Sequence, residues 1–137
     1  MAEDEAGLTI AQMSAATGVT AYTLRYYERA ELIQSVARNS GRQRRYSAAD
    51  VEWVKFLLRL RETGMPIAQM REYAVLRAQG PITTEPRLRL LQAHQANLHE
   101  KIARLHAHEL ALANKLTAYQ AELDAQQAHA QNGAGDD

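Results

Sequence analysis

Residues 17–32 read TGVTAYTLRYYERAEL, and this stretch decides the fold of the first half of the chain. Gly18 supplies the positive φ angle that a sharp turn needs, and Thr20 can cap a helix over about residues 20–30. Before the turn, Thr9 and Gln12 form a capping box that begins a helix of about two turns. Two short helices around a glycine turn predict a helix-turn-helix, a pattern that many helical hairpins share.

The next segment, residues 31–46, breaks the helical periodicity and predicts a small β-hairpin. Residues 33–36 and 44–46 fit two short strands, and the sequence Asn-Ser-Gly at 39–41 provides the turn between them. The tip and the return strand of this hairpin are basic. An ordinary surface loop is the alternative interpretation.

Two further helices complete the first domain. Ser47 and Asp50 form a second capping box, which begins a helix over about residues 48–63. Gly64 ends that helix, and Pro66 fits the first position of another helix, over about residues 66–78. The pair Gly80-Pro81 then marks the domain boundary.

From Leu88 onwards the apolar residues follow a heptad repeat, in which nine of the eleven seam positions are apolar. A helix over residues 84–125 would be about 63 Å long. A helix of that length cannot fold back on a domain of this size and still bury a narrow stripe, so a second copy of the chain is expected to cover it. Gln95 and Glu109 interrupt the seam and favour one register. The predicted dimerisation residues are Leu88, Leu91, Leu98, Ile102, Leu105, Leu112, Leu116, Tyr119 and Leu123.

The sequence therefore predicts a mainly α chain, with a winged helix-turn-helix domain followed by a long coiled-coil helix. The predicted parts are a disordered lead (1–7), the DNA-binding domain (8–80), the dimerisation helix (84–125) and a disordered tail (126–137).

Charge is unevenly distributed in a chain whose formal net charge is zero. Between Arg25 and Arg61 there are nine basic and four acidic residues, a net charge of +5. Such a block fits a phosphate-facing patch, although charge alone favours a solvated surface. The absence of cysteine excludes disulfides and thiolate metal sites. No apolar run is long enough to span a membrane, so we expect a cytoplasmic protein. No catalytic motif occurs, and we expect neither enzyme activity nor a cofactor or metal.

The segment Thr23-Leu24-Arg25-Tyr26-Tyr27-Glu28 resembles the helix-turn-helix motif of the MerR family of transcription regulators. The resemblance continues through residues 44–47 (RRYS) and 60–65 (LRETGM), and covers about residues 8–78. Residues 87–91 and 115–119 look like the small-regulator branch that includes aldehyde- and electrophile-stress members. The resemblance implies a homodimer, joined by an antiparallel coiled coil, that bends and untwists double-stranded promoter DNA. RNA polymerase is the further partner that it implies.

Two positions depart from the family pattern. The family usually has glycine at the position of Ala30 and at that of Arg42, whereas here the wing glycine is Gly41. The turn of the wing is therefore expected to differ in shape. Sensing relatives commonly use cysteine, so their sensing chemistry cannot be transferred to this cysteine-free chain.

The N-terminal part of the second helix is expected to enter the major groove. Arg25 can bond a phosphate, or a guanine through O6 and N7. The family resemblance implies that the pair Tyr26 and Tyr27 contacts phosphates. We expect one of the two rings to be mostly structural. Arg44 and Arg45 point to opposite faces of a strand, and Arg44 matches the wing arginine of the family. The candidate DNA-binding residues are Thr20, Ala21, Tyr22, Arg25, Tyr26, Tyr27, Arg38, Arg42, Arg44 and Arg45.

Other charged groups favour simpler interpretations. Lys55, Arg59 and Arg61 are interpreted as solvated helix charges rather than as DNA contacts. The histidines of the long helix (His94, His99, His106 and His108) can be a pH or metal sensor across a dimer, but a surface role is favoured. The alternative function is an architectural DNA-bending or protein-interaction module without regulatory output.

Overall fold

The computed structural model describes residues 7–33, 37–38, 41 and 44–135. The predicted lead over 1–7, except Gly7, and the wing positions 34–36, 39–40 and 42–43 lie outside the described residues. The chain divides into two compact units, Met1–His94 and Gln95–Asp137. Its elements are α1 (Ile10–Thr17), α2 (Ala21–Arg29), β1 (Ala37–Arg38), β2 (Arg44–Arg45), α3 (Ala48–Glu62), α4 (Ile67–Ala78), a 3₁₀ turn (Pro81–Thr83) and α5 (Thr84–Gly135).

The helix starts of the first unit follow the predicted capping chemistry. Thr9 and Gln12 exchange both bonds of the capping box at α1, at 2.9 and 3.1 Å. Ser47 and Asp50 do the same at α3. Gly18 ends α1 with a φ of 75°, the left-handed conformation that glycine adopts at little cost. Pro66 lies one position earlier than predicted, as the N-cap of α4, because its extended backbone precedes the first helical residue.

The exit of α2 places the left-handed conformation on Glu31, whose φ is 63°. Ala30, where the family resemblance placed the missing glycine, has an ordinary φ of −80°. The position that favours glycine is thus one residue later than the family resemblance suggested. This exit is held in place by Arg71 of α4, whose Nε donates to the carbonyl of Ala30 at 3.0 Å.

Among the described residues, the wing contains two strands of two residues each. β1 and β2 are antiparallel, with Ala37 opposite Arg45. The strand prediction for residues 33–36 is wrong at Ile33, which is buried in the core. The indole N–H of Trp53 donates to the carbonyl of the preceding residue, Leu32, at 2.8 Å and holds the chain there. After the return strand, Tyr46 pairs with Leu8 through two backbone hydrogen bonds. The segment before α1 is thereby bonded to the end of the wing.

The core of the first unit lies between α1, α2, α3 and α4 and contains three aromatic rings in mutual contact. Trp53 stacks on Tyr73 with centroids 5.8 Å apart, and Phe56 packs against both rings. The guanidinium of Arg77 lies 4.2 Å from the centroid of Trp53, a cation–π contact. These contacts fix α4 against α3 and therefore fix the turn between them.

Helix α5 begins at Thr84, as predicted. Its first turns, up to His94, belong to the first unit and pack on its core through the partly buried Leu90 and Leu91. Leu91, which was predicted as a seam residue, thus contacts the core of the first unit of its own chain. The helix continues to Gly135, so the prediction of a disordered tail over 126–137 is wrong as far as residue 135, because alanine and glutamine are good helix formers. Among the described helices, none combines the length and the apolar character that a membrane span requires.

Candidate nucleic-acid interface

One face of α2 carries exposed aromatic and basic side chains. Tyr22, Arg25, Tyr26 and Arg29 recur with the i, i+3, i+4, i+7 spacing of a single helix face, and all four are exposed. Leu24 and Tyr27 point the other way and are buried. Side chains that combine a hydrophobic ring or a cation with a hydrogen-bond donor suit a groove flanked by phosphates. We call these four exposed residues the α2 stripe.

The start of α2 presents backbone amides next to this stripe. The hydroxyl of Thr20 accepts a hydrogen bond from the amide of Thr23 and donates to the hydroxyl of Thr23. Thr20 therefore already uses its hydroxyl in capping, and its predicted DNA contact stays a prediction. Ala21 and Tyr22 occupy the first turn, where free amides and the helix dipole favour an anion.

A cleft of about 460 Å³ separates α2 from the turn between α3 and α4. Its lining includes rings of the α2 stripe, the buried ring of Tyr27, and Arg61, which belongs to the last turn of α3. The hydroxyl of Tyr27 raises the pKa of the Arg61 guanidinium, and the carboxylate of Glu62 adds to this effect. A permanently charged guanidinium thus stands beside tyrosine rings, an arrangement suited to a phosphate.

Arg61, which the sequence interpretation treated as a solvated helix charge, is indeed exposed and also lines this cleft. Only the packing of α2 against the α3–α4 turn brings it next to Tyr22 and Tyr26. The available signal was its position three residues before Gly64, since arginines at a helix end next to a turn are well placed to reach a ligand.

The two tyrosines of the motif differ in exposure. Tyr26 is 43% exposed, whereas Tyr27 is 1% exposed and belongs to the core. This difference agrees with the expectation that one ring is mostly structural, and it identifies Tyr27 as that ring. Tyr26 therefore carries the hydroxyl that an outside phosphate can reach.

The wing contributes a partly buried arginine. Arg45 is half-buried, and its Nε is buried without a hydrogen-bond partner among the described residues. Such an atom costs free energy unless a ligand or water satisfies it. The backbones of Arg38 and Arg44 pair across the hairpin, and Arg42 lies outside the described residues.

The predicted seam is largely exposed in the single chain. Leu88, Ile102, Leu105, Leu112, Leu116, Tyr119 and Leu123 are between 46% and 70% exposed, and Leu98 is half-buried. A row of large apolar side chains along one helix is costly to leave in water.

The histidines of α5 fall into two groups. His99, His106, His108 and His129 are exposed, whereas the ring of His94 contacts Thr63 at 2.7 Å. Within the part of the chain that the structure describes, no three histidine or carboxylate side chains are grouped as metal ligands.

A helix-turn-helix with an exposed recognition helix, a two-stranded wing and a long following helix defines the class of winged helix-turn-helix regulators. Family comparison agrees: residues 8–75 match the model described as MerR HTH family regulatory protein, and residues 51–115 match MerR, DNA binding. The chain belongs to the MerR family of transcription regulators.

Individual relatives are similar over most of the chain. It is 38% identical to the HTH-type transcriptional regulator AdhR of Bacillus subtilis over 93 residues, which span 68% of this chain and 66% of AdhR. The structure of HiNmlR, a MerR family regulator lacking the sensor domain and bound to promoter DNA, aligns with a TM-score of 0.76 and 33% identity, covering 82% of this chain and 89% of HiNmlR. A MerR-family structure from Listeria monocytogenes aligns with a TM-score of 0.85 and 31% identity, covering 92% and 96%.

Proposed function

We propose that this regulator binds a pseudo-palindromic promoter site in the cytoplasm as a homodimer and distorts the DNA between its two half-sites. The observation that carries the proposal is that Tyr22 and Tyr26 of the α2 stripe line one cleft of the first unit together with Arg61. The DNA-bound state of HiNmlR, which shares this fold, supports it.

In this proposal the N-terminal half of α2 lies in the major groove. Arg25 is exposed and bonds either a guanine edge or a phosphate, and Tyr22 lies closer to the helix start. Tyr26 and Arg61 grip a backbone phosphate from the two sides of the cleft. Phosphate contacts fix the register of the protein on the duplex, whereas base contacts provide the specificity.

The wing contacts the backbone beside each half-site. Arg45 of the return strand is half-buried and is one candidate for such a contact through its guanidinium. Arg44 remains the first candidate by family resemblance, and Arg38 and Arg42 are further candidates. The contacts made by the DNA-binding domains of both chains offset the deformation of the DNA, which costs about 1–6 kcal/mol.

The homodimer forms through the seam of α5. Each seam side chain gains at most about 1.5–3 kcal/mol when fully buried, so even partial burial of seven exposed residues on each chain stabilises a dimer. The family resemblance favours an antiparallel pairing. RNA polymerase, positioned on the distorted promoter, is the proposed third partner.

Selection of genomic fragments bound by the purified chain tests the proposal. Enrichment of promoters with pseudo-palindromes and an unusually long spacer supports it. Enrichment of no sequence, with strongly salt-dependent binding, supports instead the architectural DNA-bending module.

Arg44→Ala tests the wing on a selected fragment. The variant is expected to weaken binding across sequences and to reduce the salt dependence by about 0.9 in log–log slope, the value for one phosphate contact. Arg104→Ala is a matched control, since Arg104 is an exposed arginine of α5 paired with Glu100. An unchanged salt slope in Arg44→Ala removes this residue from the phosphate contacts.

A further inference from the structure

A polar contact joins the beginning of the dimerisation helix to the end of α3. The Nε2 atom of His94 lies 2.7 Å from the hydroxyl oxygen of Thr63, and the two residues are 31 positions apart in the sequence. Both side chains are partly buried. Thr63 is the C-cap residue of α3 and belongs to the turn that leads to α4. The other polar contacts of this part of α5 are local: Arg87 donates to Gly80, Thr83 and Thr84, and Arg89 pairs with Glu85.

The direction of this hydrogen bond follows from the other partners of Thr63. Its hydroxyl lies 2.7 Å from the carbonyl oxygen of Arg59, a separation at which one oxygen must donate to the other. A carbonyl cannot donate, so the hydroxyl proton points to Arg59 and the imidazole donates from Nε2. Both the imidazolium and one neutral tautomer carry that proton.

The turn held by His94 also carries residues of the DNA-facing cleft. Arg61 precedes Thr63 by two residues and Met65 follows it by two, and both line the cleft against α2. The backbone between them is tightly bonded: the amide of Gly64 donates to Arg61 at 3.0 Å and that of Met65 to Leu60 at 2.9 Å. A displacement of Thr63 is therefore passed on to Arg61.

We infer that His94 is a positioning residue for the DNA interface: it holds Thr63 and so sets the place of the Arg61 guanidinium in the cleft. The inference rests on the proposed binding of DNA by this chain. It assigns to the dimerisation helix a direct contact with the turn that grips the phosphate.

Binding of the full-length chain to a labelled, selected duplex, measured by fluorescence anisotropy over a range of salt concentrations, tests this role. Thr63→Val and His94→Phe are each expected to weaken binding about fivefold, the usual net effect of one hydrogen bond, and to lower the salt slope. The double variant is expected to bind no more weakly than either single variant, because both lose the same bond. Thr63→Ser and His94→Gln, which keep an acceptor and a donor, restore affinity to within about twofold.

Matched controls remove the same groups elsewhere on α5. Thr117→Val deletes a hydroxyl that bonds the carbonyl of Ala113, and His129→Phe replaces an exposed ring. Neither is expected to change binding. In an Arg61→Gln background, Thr63→Val is expected to cause no further loss of salt slope.

Three results would overturn the inference. Thr63→Val and His94→Phe could lower the urea midpoint yet bind the duplex with wild-type affinity and slope, which would make the contact purely structural. Their effects on binding could add in the double variant. If the wild-type chain itself binds no duplex, the proposed function fails as well. In the first result, by contrast, the wild type still binds the duplex.

Discussion

Glu31→Gly is predicted to stabilise the protein, because Glu31 ends α2 in the left-handed conformation with a φ of 63°. That conformation costs a residue with a Cβ atom about 1–2 kcal/mol. Glycine avoids this strain but loses about 0.5–1 kcal/mol through the greater freedom of the unfolded chain. The expected net gain is about 0.5–1 kcal/mol. Glu31 is exposed, so no packing is lost with its side chain.

Ala30→Gly is the matched control, one residue earlier in the chain. Ala30 has a φ of −80° and is buried, so glycine relieves no strain there and adds only its entropic cost and the loss of a packed methyl group. Its expected effect is a loss of at least about 0.5–1 kcal/mol. The two variants are therefore expected to change stability in opposite directions.

Urea unfolding at a fixed chain concentration measures both effects. Trp53, the single tryptophan, is buried and reports on the first unit through its fluorescence. With an m-value of about 1–3 kcal/mol/M, the midpoint of Glu31→Gly is expected to rise by a few tenths of a molar or more. A midpoint at or below wild type would refute the reasoning, and a rise for Ala30→Gly would show that the left-handed residue is Ala30.

Three further outcomes test the interface and the dimer. Arg61→Gln is expected to reduce the salt slope of duplex binding by about 0.9. A slope equal to that of the wild type would show that Arg61 contacts no phosphate. Tyr26→Phe is expected to weaken duplex binding about fivefold, whereas Tyr27→Phe, in the core, changes it less; the reverse order would contradict the assignment of the exposed hydroxyl. Leu98→Asp combined with Leu105→Asp is expected to give monomers in light scattering, and a retained dimer would refute the seam.

The local chemistry of the chain was predictable because it depends on neighbours within four residues. The capping boxes at Thr9 and Ser47 and the left-handed Gly18 each involve a side chain and a backbone group of the same turn. The motif around Arg25 likewise belongs to one helix, and its spacing identified the family. Predictions failed where a distant contact decides: Ile33 is drawn into the core next to a carbonyl bound by Trp53.

The sequence by itself determined the order of the helices, the family and the apolar seam of α5, because periodicity and capping depend on residues that are close together in the sequence. The tertiary structure decided which tyrosine faces outward, that Arg61 joins the cleft, and that His94 bonds Thr63. These facts depend on how α2, α3 and α5 pack together across tens of residues. That packing is set by the summed burial of the whole core, which no single stretch of sequence contains.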